Sequence, residues 1–215
     1  MIDKILAAFG IQPDSGVYII SAEELQGNHV PPFPPTMDTV ILNVSDVEHL
    51  QAVLNVNYIP ETQIFLLEQE TVKSVSLQDI LEPSEALHLP KQTDISFAED
   101  LQEVIAQLRA PDGCPWDREQ THESLRSFIL EEVYEFLDAV DEMNFVEMAE
   151  ELGDVMLQLY LHAQIGVEFD EFRLPDVFTA ISTKMRRRHP HVFSDVEVNG
   201  SVDTVLTNWQ EIKAQ

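Results

Sequence analysis

The chain has 215 residues, enough to bury a real core as one domain or two small ones. Its 39 acidic and 12 basic residues give a formal net charge of −27, which excludes polymeric nucleic acid as an electrostatic partner, because that binding runs on Lys and Arg neutralising phosphates. The 44% hydrophobic content suits a soluble protein, no window approaches the roughly 18 apolar residues of a membrane span, and a single cysteine, Cys114, excludes an intrachain disulfide framework.

The opening Met1 to Gly10 has an acid at Asp3, only a short apolar stretch and no small-residue cleavage site. It argues against a secretory signal, and a cytoplasmic location is expected. Short β-rich runs follow at Val17 to Ile20, Thr39 to Val44, Gln63 to Leu67 and Val72 to Leu77, around a helix-like segment from Val47 to Asn57. This alternation predicts a small α/β segment over residues 1–82. Pro31-Pro32-Phe33-Pro34-Pro35 is too rigid for a helix or a central strand and reads as a structural loop or a polyproline ligand. Pro83 and Pro90 punctuate a weakly periodic stretch, so residues 83–96 are expected to be a linker.

From residue 97 to 215 the pattern is helical. Phe97 to Arg109 forms a first helix, and the loop from Pro111 to Asp117 follows it. Thr121 is placed to cap a helix running to about Glu142, and Asn144 with Glu147 resembles a capping box for the next. Two further helices are expected over Pro175 to His189 and Val202 to Ala214. The fold class is therefore mainly α, preceded by a small α/β segment.

The carboxylates of these helices carry the chemistry. Leu125, Phe128, Ile129, Val133, Phe136 and Val140 form one apolar stripe, and Glu132 falls at its edge with Glu135 and Glu131 beside it. In the next helix Leu152, Val155, Met156, Leu157, Leu159, Tyr160, Leu161, Ala163 and Ile165 cover nearly the whole circumference, which predicts a buried helix, yet Glu151 and Asp154 interrupt them. Like charges gathered there stay protonated, reach water, or hold a cation. With no cysteine nearby and no histidine at ligand spacing, all-oxygen coordination of Mg²⁺ or Mn²⁺ is the sharpest reading. Lys184, Arg186, Arg187 and Arg188 concentrate four of the twelve basic residues. That patch suits either a small polyanion or a solvated helix end complementing the dipole.

The run Gly113-Cys114-Pro115-Trp116-Asp117-Arg118-Glu119-Gln120-Thr121-His122, then Leu130-Glu131-Glu132-Val133-Tyr134-Glu135, Glu150-Glu151-Leu152-Gly153-Asp154 and Arg187-Arg188-His189-Pro190-His191-Val192-Phe193, resembles the MazG nucleoside triphosphate pyrophosphohydrolases over about residues 97 to 213. The resemblance implies an all-α helical bundle completed by homodimerisation, with Mg²⁺-dependent hydrolysis of nucleoside triphosphates to monophosphate and pyrophosphate. It places the metal ligands on Glu132, Glu135, Glu151 and Asp154, with Glu131 as a further ligand or water-orienting base. Lys184 and Arg188, with Arg187 beside them, would clasp the triphosphate. Trp116 would stack near the base or cap the helical core, and no role in catalysis falls on Cys114, His122, His162, His189 or His191. A catalytically silent nucleotide-binding or regulatory protein on the same scaffold is the alternative. More faintly, His29 to Pro35, the strand from Thr39 and the run from Gln63 to Ile80 are similar to the C-terminal half of tetrapyrrole methylase domains. The glycine-rich S-adenosylmethionine loop of such domains has no counterpart here, so a packing, dimerising or regulatory role is implied.

Overall fold

The computed structural model describes residues 2–12, 14–93, 95–198 and 200–213. By internal contacts the chain divides into two units, Met1–Asp100 and Leu101–Gln215.

The first unit is built on a five-stranded mixed sheet. In chain order it contains α1 (Ile2–Phe9), β1 (Val17–Ser21), β2 (Asp38–Val44), α2 (Val47–Leu54), β3 (Gln63–Glu68), β4 (Thr71–Ser76) and β5 (Ser84–Leu89). The strand order is β1-β2-β5-β3-β4, with β1 and β2 parallel and every other neighbouring pair antiparallel. Period-two alternation sends successive side chains to opposite faces. Ile41 and Leu87 accordingly join Leu50 and Leu54 of α2 in one core, while Val40 and Ala86 pack with Leu6 of α1 in the other. Phe33 of the proline-rich loop is buried in the first of these cores and its ring lies 5.4 Å from that of Tyr18, the packing of a structural loop.

Residues 83–96 are not simply a linker, since β5 sits in the middle of the sheet between β2 and β3. Pro83 and Pro90 stand just outside its two ends, where a missing N–H costs no ladder hydrogen bond. They bound the strand. The sequence also gave no sign of α1, whose eight residues are too few to show a sustained helical period.

The second unit takes most of α3 (Ala98–Arg109) and then α4 (Pro115–Glu119), α5 (Arg126–Asp141), α6 (Phe145–Glu168), α7 (Leu174–Arg188), α8 (Pro190–Phe193) and α9 (Val202–Lys213). The expected last residue of α9, Ala214, lies outside the described residues. Asn144 caps α6 by accepting from the Glu147 amide, as its spacing predicts. Thr121 instead caps a separate turn, accepting from Ser124 N–H at 3.1 Å, and α5 begins five residues after Thr121, at Arg126. Three residues, Glu142 to Asn144, reverse the chain between α5 and α6, with Met143 in the left-handed region at φ 52°. The two helices form an antiparallel hairpin.

Ile105, Leu125, Tyr160, Leu161 and Ile165 make the core of this unit, joined by Phe128, Leu157 and Leu174. Arg109 spans its edge, with a side chain only 2% exposed that makes paired bonds of 2.9 and 2.7 Å to Glu168. Its remaining donors reach the carbonyls of Asp117 and Gln120 and so tie down the loop before α5. Gly113 belongs to the same loop: a Cβ there would lie 2.3 Å from the Gln107 carbonyl oxygen, so no larger residue fits the close approach.

The expected burial of α6 holds only for one face of its second half, which carries Tyr160, Leu161, Ala163 and Ile165. Leu152, Met156 and Leu159 are 48%, 37% and 52% exposed, and Leu130, Tyr134 and Leu137 of α5 are exposed as well. A helix apolar around its circumference needs cover on every side, and α5 supplies one side only.

Candidate metal centre

The hairpin brings three of the predicted acids together. Glu132 of α5 and Glu151 and Asp154 of α6 each offer a carboxylate oxygen, and these atoms all lie within 4.8 Å of one another. All three side chains are half-buried. One turn separates Glu151 from Asp154, so both point to the same side of α6, and the antiparallel pairing sets Glu132 opposite them. Glu135 and Glu131 remain exposed and outside this closest set. They still act on it through charge.

Burial is the main cause that raises the Glu132 carboxyl above the usual carboxylate range, followed by the charges of Asp154, Glu135 and Glu131. Glu151 is raised by burial and then by Glu135, Asp154, Glu132 and Glu150. One oxygen of Glu151 is buried with no hydrogen-bond partner among the described residues. An orphaned acceptor and mutually repelling oxygens describe a site that fits a hard cation, and the all-oxygen donor set excludes a preference for a soft one. The carboxylates therefore qualify as a metal-holding group on their own chemistry.

The basic residues are placed on other elements. Lys184 is exposed on α7, and Arg187 donates to the Ile212 carbonyl of α9 at 3.3 Å. The Arg188 guanidinium lies 5.1 Å from the ring centre of Trp209, and its Nε is buried without a partner among the described residues. The Lys213 ammonium sits 5.1 Å from the same ring. Trp209 is thus the aromatic beside the cations, and sequence reasoning passed over it. Spacing held a clue, because Trp209 and Lys213 are one helical turn apart and share a face. Trp116 is 52% exposed, with its ring edge-on to Phe128 at 5.7 Å. It has an aromatic neighbour and open surface, which accommodates both roles considered for it.

A second polar group was also invisible in the sequence. His122, in the turn before α5, places Nδ1 2.6 Å from Nδ1 of His162 on α6 and Nε2 3.0 Å from the Glu171 carboxylate. The residues that meet are 40 and 49 positions apart, beyond the reach of any local pattern.

Among curated relatives, the chain is 56% identical over 110 residues to "Uncharacterized protein YabN" of Bacillus subtilis, a match covering 51% of this chain and 22% of that protein. It is 47% identical over 125 residues to "Nucleoside triphosphate pyrophosphohydrolase/pyrophosphatase MazG" of Thermotoga maritima, covering 58% of this chain and 47% of that one. The chain thus spans less than half the length of either. A solved structure described as "Crystal structure of mazG-related protein from Thermotoga maritima" aligns with a TM-score of 0.48 and 25% identity, covering 54% of this chain and 99% of the other. No helix among the described residues is long and apolar enough to cross a membrane. Residues 120–193, which contain Glu132, Glu151, Asp154, Lys184 and Arg188, match the family model of the MazG nucleotide pyrophosphohydrolase domain.

Proposed function

We propose that this chain hydrolyses nucleoside triphosphates to the monophosphate and pyrophosphate. The observation that carries the reading is the meeting of Glu132, Glu151 and Asp154 within the segment that matches the MazG domain. Glu132, Glu135, Glu151 and Asp154 would hold Mg²⁺, or Mn²⁺ in its place. When bound, the divalent ion supplies positive charge against the phosphate oxygens.

The chain's own residues account for the remaining requirements. Glu131 accepts the proton of the attacking water as the water oxygen bonds to the α-phosphorus. The bond from that phosphorus to the bridging oxygen breaks, and pyrophosphate leaves with the electron pair. Lys184, Arg187 and Arg188 offset the substrate's charge, which an otherwise acidic surface would repel. Trp209 and Trp116 are the aromatic faces available to a base.

Homodimerisation is part of the same proposal. Exposed Leu130, Tyr134, Leu137, Leu152, Met156 and Leu159 flank the acids, and a second copy would cover them. The intended substrates are free nucleotides rather than polymers, in the cytoplasm, as the net charge of −27 favours. For residues 1–82 we propose a packing or regulatory module akin to the second half of a tetrapyrrole methylase domain, a reading supported by their mixed α/β layering.

The test is pyrophosphate release from a panel of canonical and modified nucleotides, with and without Mg²⁺. Product formation that needs the ion is expected. Tight nucleotide binding without product would replace the proposal with the silent, regulatory alternative.

A further inference from the structure

The α5–α6 hairpin is fixed at both ends, and the acids lie between the fixings. At one end the backbone of the three-residue reversal joins the helices covalently, and Asn144 caps the start of α6. At the other, His122 meets His162, and Glu171 closes on His122 from beyond the end of α6. From His162 back to Asp154 is eight residues along α6, a rise of about 12 Å.

The second fixing is built with care. Phe172 stacks on His122 at 5.9 Å, and the Glu171 amide donates to the Gly166 carbonyl at 2.8 Å. A Cβ on Gly166 would meet the Phe172 carbonyl oxygen at 2.8 Å, so glycine is what lets this segment fold back against α6. The group lines an apolar cavity of about 480 Å³, to which α7 contributes Leu174, Val177 and Phe178 and α6 contributes Leu159 and Tyr160. The titratable groups that line that cavity are His122, His162, Glu171 and the phenol of Tyr160, and Glu171 is its one acid among the described residues.

We propose that His122, His162 and Glu171 form a proton-holding clamp whose function is to set the α5–α6 register and so position Glu132 opposite Glu151 and Asp154. This rests on the reading of those acids as the metal-holding set. Two nitrogens 2.6 Å apart must share one proton. With both rings neutral, His122 donates Nε2–H to Glu171 and accepts from His162 Nδ1–H. With one proton added, the His122 cation pairs with Glu171 and donates Nδ1–H to His162. In both states the contact between the two rings and the contact of His122 with Glu171 are hydrogen bonds. A second added proton leaves two cations with N–H groups facing each other, and the clamp opens.

Burial and the neighbouring His122 both hold His162 below the usual histidine range. A depressed histidine contributes stability that is full above its ordinary value and is lost as pH falls through the depressed one. The clamp therefore stays closed at neutral pH and opens on acidification. His122, His162 and Glu171 are positioning residues, since they act on the metal only through the hairpin.

The experiment measures Mn²⁺ affinity from about pH 8 to about pH 5.5 for the full chain and for His162→Leu and His162→Asn, and records imidazole nitrogen and proton NMR of the metal-free protein. His162→Leu should weaken Mn²⁺ binding about tenfold. His162→Asn, which keeps a polar atom near the Nδ1 position but cannot titrate, should restore most of that loss and hold its affinity better than the wild type in acid. A shared Nδ1–Nδ1 proton should be seen at neutral pH and disappear on acidification. If the three affinity curves coincide at every pH, or if no such proton exists, the clamp is refuted. Should His162→Leu fail to fold, the comparison of wild type with His162→Asn decides. A wild type that binds no Mn²⁺ while showing the shared proton would sink the reading of the acids and leave the clamp's chemistry intact.

Discussion

The two units of this chain treat their apolar residues in opposite ways. The sheet of the first unit is covered on both faces, by α2 and the proline-rich loop on one side and by α1 on the other, so that Ile41, Leu54, Ile64 and Leu87 are fully buried. The second unit buries a smaller core around Leu125 and Leu161 and leaves a run of large apolar side chains on α5 and α6 at the surface. Apart from the α1 residue Ile2, the large apolar side chains that the first unit leaves exposed, such as Ile59 and Leu81, lie outside its helices and strands. The second unit carries the acids on the part of its hairpin that its own chain leaves uncovered, which is why the proposed activity and the proposed dimer belong to one surface.

The largest expected effect comes from breaking the acid side of this contrast. Glu132→Gln or Asp154→Asn should lower pyrophosphate release at least about 100-fold while circular dichroism shows unchanged helical content. Turnover surviving either change would refute the metal assignment.

Stability should separate the units next. Leu87→Ala, in the fully buried β5, is expected to cost about 2–5 kcal/mol in a denaturant titration that follows the sheet. Tyr134→Ser, on the open face of α5, should stay within about 0.5 kcal/mol in the monomer yet shift the sedimentation equilibrium toward monomer. Equal destabilisation by both would show that α5 is covered within its own chain.

The smallest effect is a pH dependence confined to the second unit. Because Glu132 and Glu151 hold protons more tightly in the folded chain than in the unfolded one, their repulsion is absent below the ordinary glutamate value and grows as pH rises through the raised ones. Mg²⁺ should therefore raise the melting temperature more at about pH 8 than at about pH 5. Asp154→Asn should flatten that difference, as read by calorimetry.

Much of this was open to a reader of the sequence. Helical periodicity located α5, α6, α7 and α9, and the spacing of Glu132, Glu151 and Asp154 fixed which faces they occupy, because 3.6 residues per turn is a local rule. Asn144 followed by Glu147 announced the start of α6 for the same reason. Local rules failed where partners come from far along the chain. β5 owes its place to β2 and β3 rather than to its own pattern, and two prolines made it look like a linker. The long apolar girth of α6 spoke of burial but could not say what does the burying, and within this chain α5 covers one side.

What the sequence determined by itself was the helical period and the acid faces, together with the sign of the charge that any substrate must overcome. Tertiary structure alone decided which acids meet within 4.8 Å, which aromatic lies beside Arg188, and that the rings of two histidines 40 residues apart come within 2.6 Å. The division has a physical cause: backbone geometry fixes neighbours one turn away, whereas side chains on different elements come together only when packing chooses a register.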